Sequence, residues 1–156
     1  MQDRESAKNL KALGKKTVYE YSYDKSLLEA FDNRCQNEQV IKLTASEFTS
    51  LCPITGQPDY GTIIINYIPN LKVVESKSLK LYLFSFRNFG SFHESVVDTI
   101  LKDLIELLDP LYIEVLGCFN SRGGISIHPF SNYAKNNTKY VSWVEKRKME
   151  QANSNL

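Results

Sequence analysis

The order of apolar patterns in this chain predicts an α+β fold, an antiparallel sheet with two helices on one face. Three observations carry that prediction. Residues 62–68, Thr-Ile-Ile-Ile-Asn-Tyr-Ile, are rich in β-branched side chains and end at Pro69-Asn70, which reads as a strand. Val97, Ile100, Leu101, Leu104, Ile105 and Leu108 recur at helical spacing until Asp109-Pro110 stops the run. Beyond it, residues 111–120 and 124–130 read as two strands joined by Ser121-Arg122-Gly123-Gly124, whose paired glycines suit a hairpin turn.

In chain order, residues 1–35 are polar and weakly patterned and read as an extended, partly mobile arm. Residues 39–48 set Val40, Ile41, Leu43 and Ala45 among polar neighbours, as a strand does. Residues 51–61 hold Pro53, Gly56, Pro58 and Gly61, so they read as a constrained loop. A short strand over 72–75 follows, then Leu79, Tyr82, Leu83 and Phe86 at helical spacing. Ser91 opens the second helix, with Ser91-Phe92-His93-Glu94 spaced as a capping box. The tail is polar, with one short helix over 141–149. The organisation is therefore an arm (1–35), a catalytic domain (36–130) and a tail (131–156). So small a sheet leaves edge strands in need of cover, which invites association between copies.

A chain of 156 residues can bury its own core, and 42% hydrophobic with 24% charged residues is a soluble globular composition. Nineteen basic residues against eighteen acidic leave a formal charge of +1, so bulk electrostatics supports neither a nucleic-acid nor a membrane partner. Any anion site must be local. The start lacks the apolar core of a signal peptide, so a cytoplasmic protein with reduced thiols is expected. Cys35, Cys52 and Cys118 are widely spaced, and neither HExxH nor a Cys/His cluster occurs, so no metal is expected. A glycine-rich GxGxxG turn after a strand is also missing, which removes the Rossmann route to a dinucleotide.

Chemistry concentrates in three segments. Cys52 and Asp59 share the proline- and glycine-bounded loop, where a rigid scaffold can hold a nucleophile beside a proton acceptor. An ordinary thiol is only a few per cent ionised at neutral pH, so Cys52 needs help. Asp59 could supply it by taking the thiol proton, given a pKa raised by apolar neighbours such as Phe48 or Tyr60. His93-Glu94 offers two readings: Glu94 caps its helix, or its carboxylate accepts from a guanine-like base edge. Lys77 and Lys80 lie on one helix face beside Glu75 and Ser76, as a solvated face or a phosphate site at a helix start. Arg122, in the glycine hairpin, could add an anion contact.

Together these segments resemble the queuosine-pathway nitrile reductases, the QueF family in its compact form. Glu75-Ser76-Lys77-Ser78-Leu79-Lys80-Leu81-Tyr82 satisfies the family signature at every position. The loop from Phe48 to Asp59 and Ser91-Phe92-His93-Glu94 match in the same register, and the likeness runs over residues 36–130. The resemblance implies the tunnelling fold, strand-strand-helix-helix-strand-strand, whose sheets join between subunits into an oligomeric barrel. It implies a homo-oligomer, a decamer of two stacked pentamers with sites between subunits. It also implies NADPH-dependent reduction of the nitrile of 7-cyano-7-deazaguanine to the aminomethyl compound, with no direct nucleic-acid partner. Cys52 is then the nucleophile forming a thioimide and Asp59 the acid/base. Val74, Glu75, Ser76, His93 and Glu94 bind substrate, and Lys77, Lys80 and Arg122 bind NADPH. Rival readings are an amidinotransferase of the archaeosine pathway, which lacks the NADPH signature, a zinc cyclohydrolase of the same fold, and a non-catalytic purine binder.

Overall fold

The structure, a computed structural model, describes residues 10–11 and 19–154. In chain order the elements are β1 (Ala30–Asp32), β2 (Ile41–Leu51), β3 (Pro58–Ile68), β4 (Lys72–Val74), α1 (Ser76–Ser85), α2 (His93–Leu108), β5 (Tyr112–Phe119), β6 (Phe130–Ala134) and α3 (Val141–Ala152). Short 3-10 turns occupy Lys25–Leu27 and Phe86–Asn88. Strands β2, β3, β5 and β6 form one antiparallel sheet in that order, and β1 pairs with β4 in a second. The expected α+β architecture and strand-strand-helix-helix-strand-strand order are present.

Alternation along the strands decides which face is dry. Ile63, Ile65 and Tyr67 of β3 and Ile113 and Val115 of β5 point to α1 and α2, meeting Leu79, Tyr82, Val97, Ile100 and Leu104 in the main core. Gly117 lets α2 approach, because a Cβ there would lie 2.7 Å from the Phe119 ring and 2.9 Å from Val97. Asp109 ends α2 in the left-handed conformation, φ 43°, and donates back to Ile105 O. The expected stripe on α2 is right except that Val96 is fully buried while Ile105 is only partly so.

Several elements differ from the sequence reading. Residues 1–9 and 12–18 of the expected arm lie outside the described residues. The rest of the arm packs: Leu28 is buried, β1 pairs with β4, and Tyr23 donates to Asp103 Oδ2 at 2.7 Å. Strand β3 starts at Pro58, so the loop shrinks to 52–57 and Asp59 belongs to a strand. The last strand of the sheet is Phe130–Ala134, later than expected. Residues 125–129 still give Ile127 O and Pro129 O to β5 amides, but Pro129 has no N–H to return. Finally, α3 covers the other face of the sheet, packing on Ile68, Tyr112 and Ala134 through Tyr140 and Val144. Arg147 of α3 grips the buried Glu114 at 2.8 Å through NH2 and 2.9 Å through Nε.

Candidate active site

The loop after β2 is wound around Cys52. The Cys52 amide donates to Gln57 O at 2.9 Å, and the Gly56 amide, at φ 67°, donates to Cys52 O at 2.9 Å. That closure turns the Thr55 hydroxyl and the Thr55 and Ile54 amides toward the sulfur. These donors outweigh the opposing effect of burial and, with the smallest contribution coming from Arg122, bring the thiol down to about 7. About half of Cys52 is then thiolate at neutral pH, against a few per cent for an ordinary thiol near 8.5. Cys118, in contrast, is pushed up by burial.

Asp59 is 5% exposed and holds two partners on one oxygen. His93 Nε2 is 3.1 Å from Oδ1 and Arg122 NH2 is 2.9 Å from the same atom. Arg122 also donates to Gln57 O at 3.2 Å and Pro58 O at 3.1 Å, so one guanidinium ties the Cys52 loop to Asp59. The Phe119 ring lies flat on His93, centroids 3.9 Å apart at 13°, and fixes the imidazole plane. One expectation changes. The surroundings of Asp59 are a guanidinium and an imidazole, and Tyr60 is 55% exposed on the other side of the strand. Arg122 stands at the carboxylate and at the loop that carries the thiol.

Backbone bonds hold this cluster in register. The Leu51 amide donates to Phe89 O, and the Ser91 amide to Leu51 O, both at 3.1 Å. The link between α1 and α2 is thus stitched to the residue before Cys52. It also draws Ser91 out of the capping position: Phe92 precedes the helix and makes no side-chain cap. The capping box does not form, and Glu94 is left exposed in the first turn beside His93.

The signature segment divides by function. Glu75 caps α1, accepting from Lys77 N at 2.9 Å and Ser78 N at 2.7 Å. Ser78 is buried and accepts from Glu29 N at 2.9 Å, while Tyr82 donates to Asp103 Oδ2 at 2.5 Å. Leu79 and Leu81 are core. Ser76 and Lys80 face solvent and Lys77 is half-buried. Lys80 borders a groove of about 560 Å³ between α1 and β2, with Arg87, Tyr19 and Phe84. Its size and mix of cations and aromatic rings fit a phosphorylated nucleotide.

The chain does not unite all of these groups. Val74 donates to the Tyr67 hydroxyl near the end of β3, whereas Asp59 stands at its start. From Asp59 to Tyr67 the strand runs about 26 Å at about 3.3 Å per residue. Val74, Glu75 and Ser76 therefore belong to the opposite end of the sheet from Cys52, Asp59, His93 and Glu94.

A family model described as QueF-like protein matches residues 58–138. The chain belongs to the QueF-like family. A protein of Porphyromonas gingivalis is 59% identical over 145 residues, 92% of this chain and 94% of its own. One of Parabacteroides distasonis is 57% identical over 148 residues, 94% of each chain, and one of Neisseria gonorrhoeae 55% over 150, covering 95% and 96%. Each is named NADPH-dependent 7-cyano-7-deazaguanine reductase. Among solved structures, that of an archaeosine synthase QueF-Like in the apo form superposes with a TM-score of 0.59 at 20% identity, covering 64% of this chain and 98% of its own. That likeness confirms the tunnelling fold.

Within this QueF-like chain, sequence reasoning missed Thr55 and Phe119. Threonine three residues after the cysteine was a usable signal for a thiolate-stabilising turn. Phe119 carried none, because only the pairing of β5 with β3 brings it to His93. Ser50 was also missed: it is fully buried directly across from Asp59, and its hydroxyl has no hydrogen-bond partner among the described residues.

Proposed function

We propose that this chain reduces the nitrile of 7-cyano-7-deazaguanine to the aminomethyl base, with NADPH, through a thioimide on Cys52. The observation that carries the reading is the thiol at about 7, linked through Arg122 to a buried carboxylate. The relatives' shared name and close identity support the substrate and cofactor.

Cys52 adds to the nitrile carbon as thiolate, forming the C–S bond while the nitrogen gains a proton. Asp59 takes the thiol proton and delivers one to nitrogen; Arg122 and His93 steady its charge as the proton moves. NADPH, when bound, would supply hydride, two equivalents per nitrile; the C–S bond breaks after the first, returning Cys52 as thiolate, and a second proton to nitrogen completes the amine. His93 keeps its plane against Phe119, and exposed Glu94 accepts from the purine-like edge of the base. Lys80, at the groove, suits a cofactor phosphate, with Lys77 beside it on α1. Arg122 is assigned to the catalytic pair rather than to NADPH. Water exclusion protects the imine from hydrolysis.

The second part of the proposal concerns assembly. Because Val74, Glu75 and Ser76 are remote from Cys52 in one chain, a complete site needs these residues from a second copy. A ring of copies, five to a ring and two rings to a decamer, would supply them at every junction while covering the edges of β2 and β6.

The test is NADPH oxidation by the purified protein with and without 7-cyano-7-deazaguanine, with intact mass recorded on the same samples. Substrate-dependent oxidation and an amine product are expected, and Cys52→Ala should abolish both turnover and adduct. Adduct without oxidation would replace the reductase reading with amidinotransfer.

A further inference from the structure

We infer that Ser50 is a positioning residue for the proton that Asp59 carries. Its hydroxyl, which has no hydrogen-bond partner among the described residues, accepts from Oδ2–H when the carboxyl is protonated. This rests on the proposed reductase reading and deepens it, adding to Cys52 and Asp59 a residue that steers the acid without touching the substrate.

Strand register brings the two side chains together. Ser50 pairs directly with Asp59 across β2 and β3, and Phe48 pairs with Gly61 next to them on the same face. Directly paired residues have Cβ atoms about 4.5–5.5 Å apart, so a hydroxyl and a carboxyl there can meet by side-chain rotation alone. Ser50 is 0% exposed, and its neighbour along that face of β2 is the buried ring of Phe48, which offers no polar atom. Buried hydroxyls are almost always bonded, and one that is not calls for a reason. Of the buried polar side-chain atoms without a partner among the described residues, Ser50 Oγ alone is at this site; the others lie on or next to β6 and α3.

The charge on Asp59 accounts for the unpaired hydroxyl. As a carboxylate it is drawn to His93 of α2 and to Arg122 of the turn after β5, and both reach Oδ1. With Cys52, in the loop that Arg122 also holds, these are the titratable and charged groups around it. Once Asp59 takes the Cys52 proton, its charge is gone and the pull of both donors weakens. The new O–H then needs an acceptor. Arg122 and the donating Nε2 of His93 have no lone pair to offer, whereas Ser50 Oγ does. Because Oδ1 already receives two donors, the proton resides on Oδ2, the oxygen free to turn to Ser50. Held there, Oδ2–H keeps one orientation until the Cys52 sulfur bonds to the nitrile carbon. One electron pair of the C≡N bond then moves to nitrogen, which takes the Oδ2 proton and leaves Asp59 a carboxylate again.

The experiment is a mutant cycle on the full-length protein: wild type, Ser50→Ala, Asp59→Asn and the double variant, read by melting temperature at neutral pH. Ser50→Ala alone should leave the melting temperature unchanged or raise it, because no bond is lost. In Asp59→Asn, whose amide supplies the donor that Oδ2–H would, the same change should lower it by about 2–4 °C, the shift of one hydrogen bond in a chain of this size. Melts of wild type and Ser50→Ala at neutral and at acid pH make the same comparison with Asp59 intact. Wild type should gain on the variant as pH falls, since the bond exists only with the proton on. Ser50→Ala should also slow formation of the Cys52 adduct with 7-cyano-7-deazaguanine about tenfold, read by intact mass without NADPH. Iodoacetamide, which needs thiolate but no acid, should alkylate Cys52 in that variant within about threefold of the wild-type rate. Additive changes in the cycle overturn the role, as does adduct formation at the wild-type rate. Where Asp59→Asn does not fold, a melting difference independent of pH does the same. If the melts couple as expected but the wild type forms no adduct, the assignment of Ser50 to Asp59 stands and the reductase reading falls.

Discussion

His93 Nε2 donates to Asp59 Oδ1 across 3.1 Å, joining the first residue of α2 to the second residue of β3. Through that bond the helix start that carries Glu94 cannot shift without moving the carboxylate beside Cys52. Under the proposed reading, one rigid unit then carries both the group for the base edge and the group for the proton, which sets what each substitution should do.

Alkylation of Cys52 should follow a titration with a midpoint at about 7, its rate rising with pH as thiolate forms. Thr55→Ala removes the leading donor to the sulfur and should move the midpoint up toward about 8.5. Iodoacetamide kinetics read by peptide mass, which separates Cys52 from Cys35 and Cys118, check this. An unchanged midpoint in Thr55→Ala would exclude the turn as the source of activation.

Arg122→Met should lower kcat by about 10²-fold or more while leaving KM for NADPH within about threefold, because the guanidinium serves Asp59 and Cys52. The same variant should raise the alkylation midpoint of Cys52. A selective rise in KM for NADPH would return Arg122 to the cofactor.

Glu75 and Glu94 should behave as opposites under alanine substitution. Glu75→Ala removes two bonds to the α1 amides and should cost about 1 kcal/mol of stability. Glu94→Ala breaks no cap and should leave the melting temperature within about a degree while weakening substrate binding about tenfold or more. Thermal melts paired with substrate titration separate the two roles. Equal melting losses would contradict the helix start seen here.

Arg147→Ala should destabilise the protein by about 2–3 kcal/mol, short of the full cost for a buried pair because the Arg147 side chain is 34% exposed. Burial works against the ionisation of Glu114, but Arg147, Tyr112 and Asn66 outweigh it and hold the carboxyl below the ordinary range. Its stabilising effect is then complete above about pH 4.3, the unfolded value, and is lost as pH falls through the lower folded value. Denaturant melts at pH 7 and pH 3 should show a smaller difference between wild type and Arg147→Ala at the lower pH.

Much of this was legible because periodic patterns report faces. The α2 stripe and the β-branched core of β3 announced themselves; His93 meets Asp59, and Arg122 ties the Cys52 loop to the same carboxylate. What stayed hidden depended on contacts distant in sequence. The Ser91 spacing promised a capping box, but the bond from Ser91 N to Leu51 O moves the helix start to Phe92. Arg122 looked like a loose hairpin cation, and only the register of Gly61 opposite Phe119 swings it onto Asp59. A polar arm hid Leu28 and Tyr23, too few apolar residues to form a pattern. Pro129 displaced the last strand into residues that looked like tail.

The distance along β3 between Asp59 and Tyr67 has a genetic corollary. Under the shared-site reading, a chain lacking its thiol and a chain lacking Ser76 are each barren alone yet carry complementary lesions. Co-expressed, they should rescue one another, since some junctions would pair the intact half of each. Two lesions at Cys52 and Asp59 should never do so.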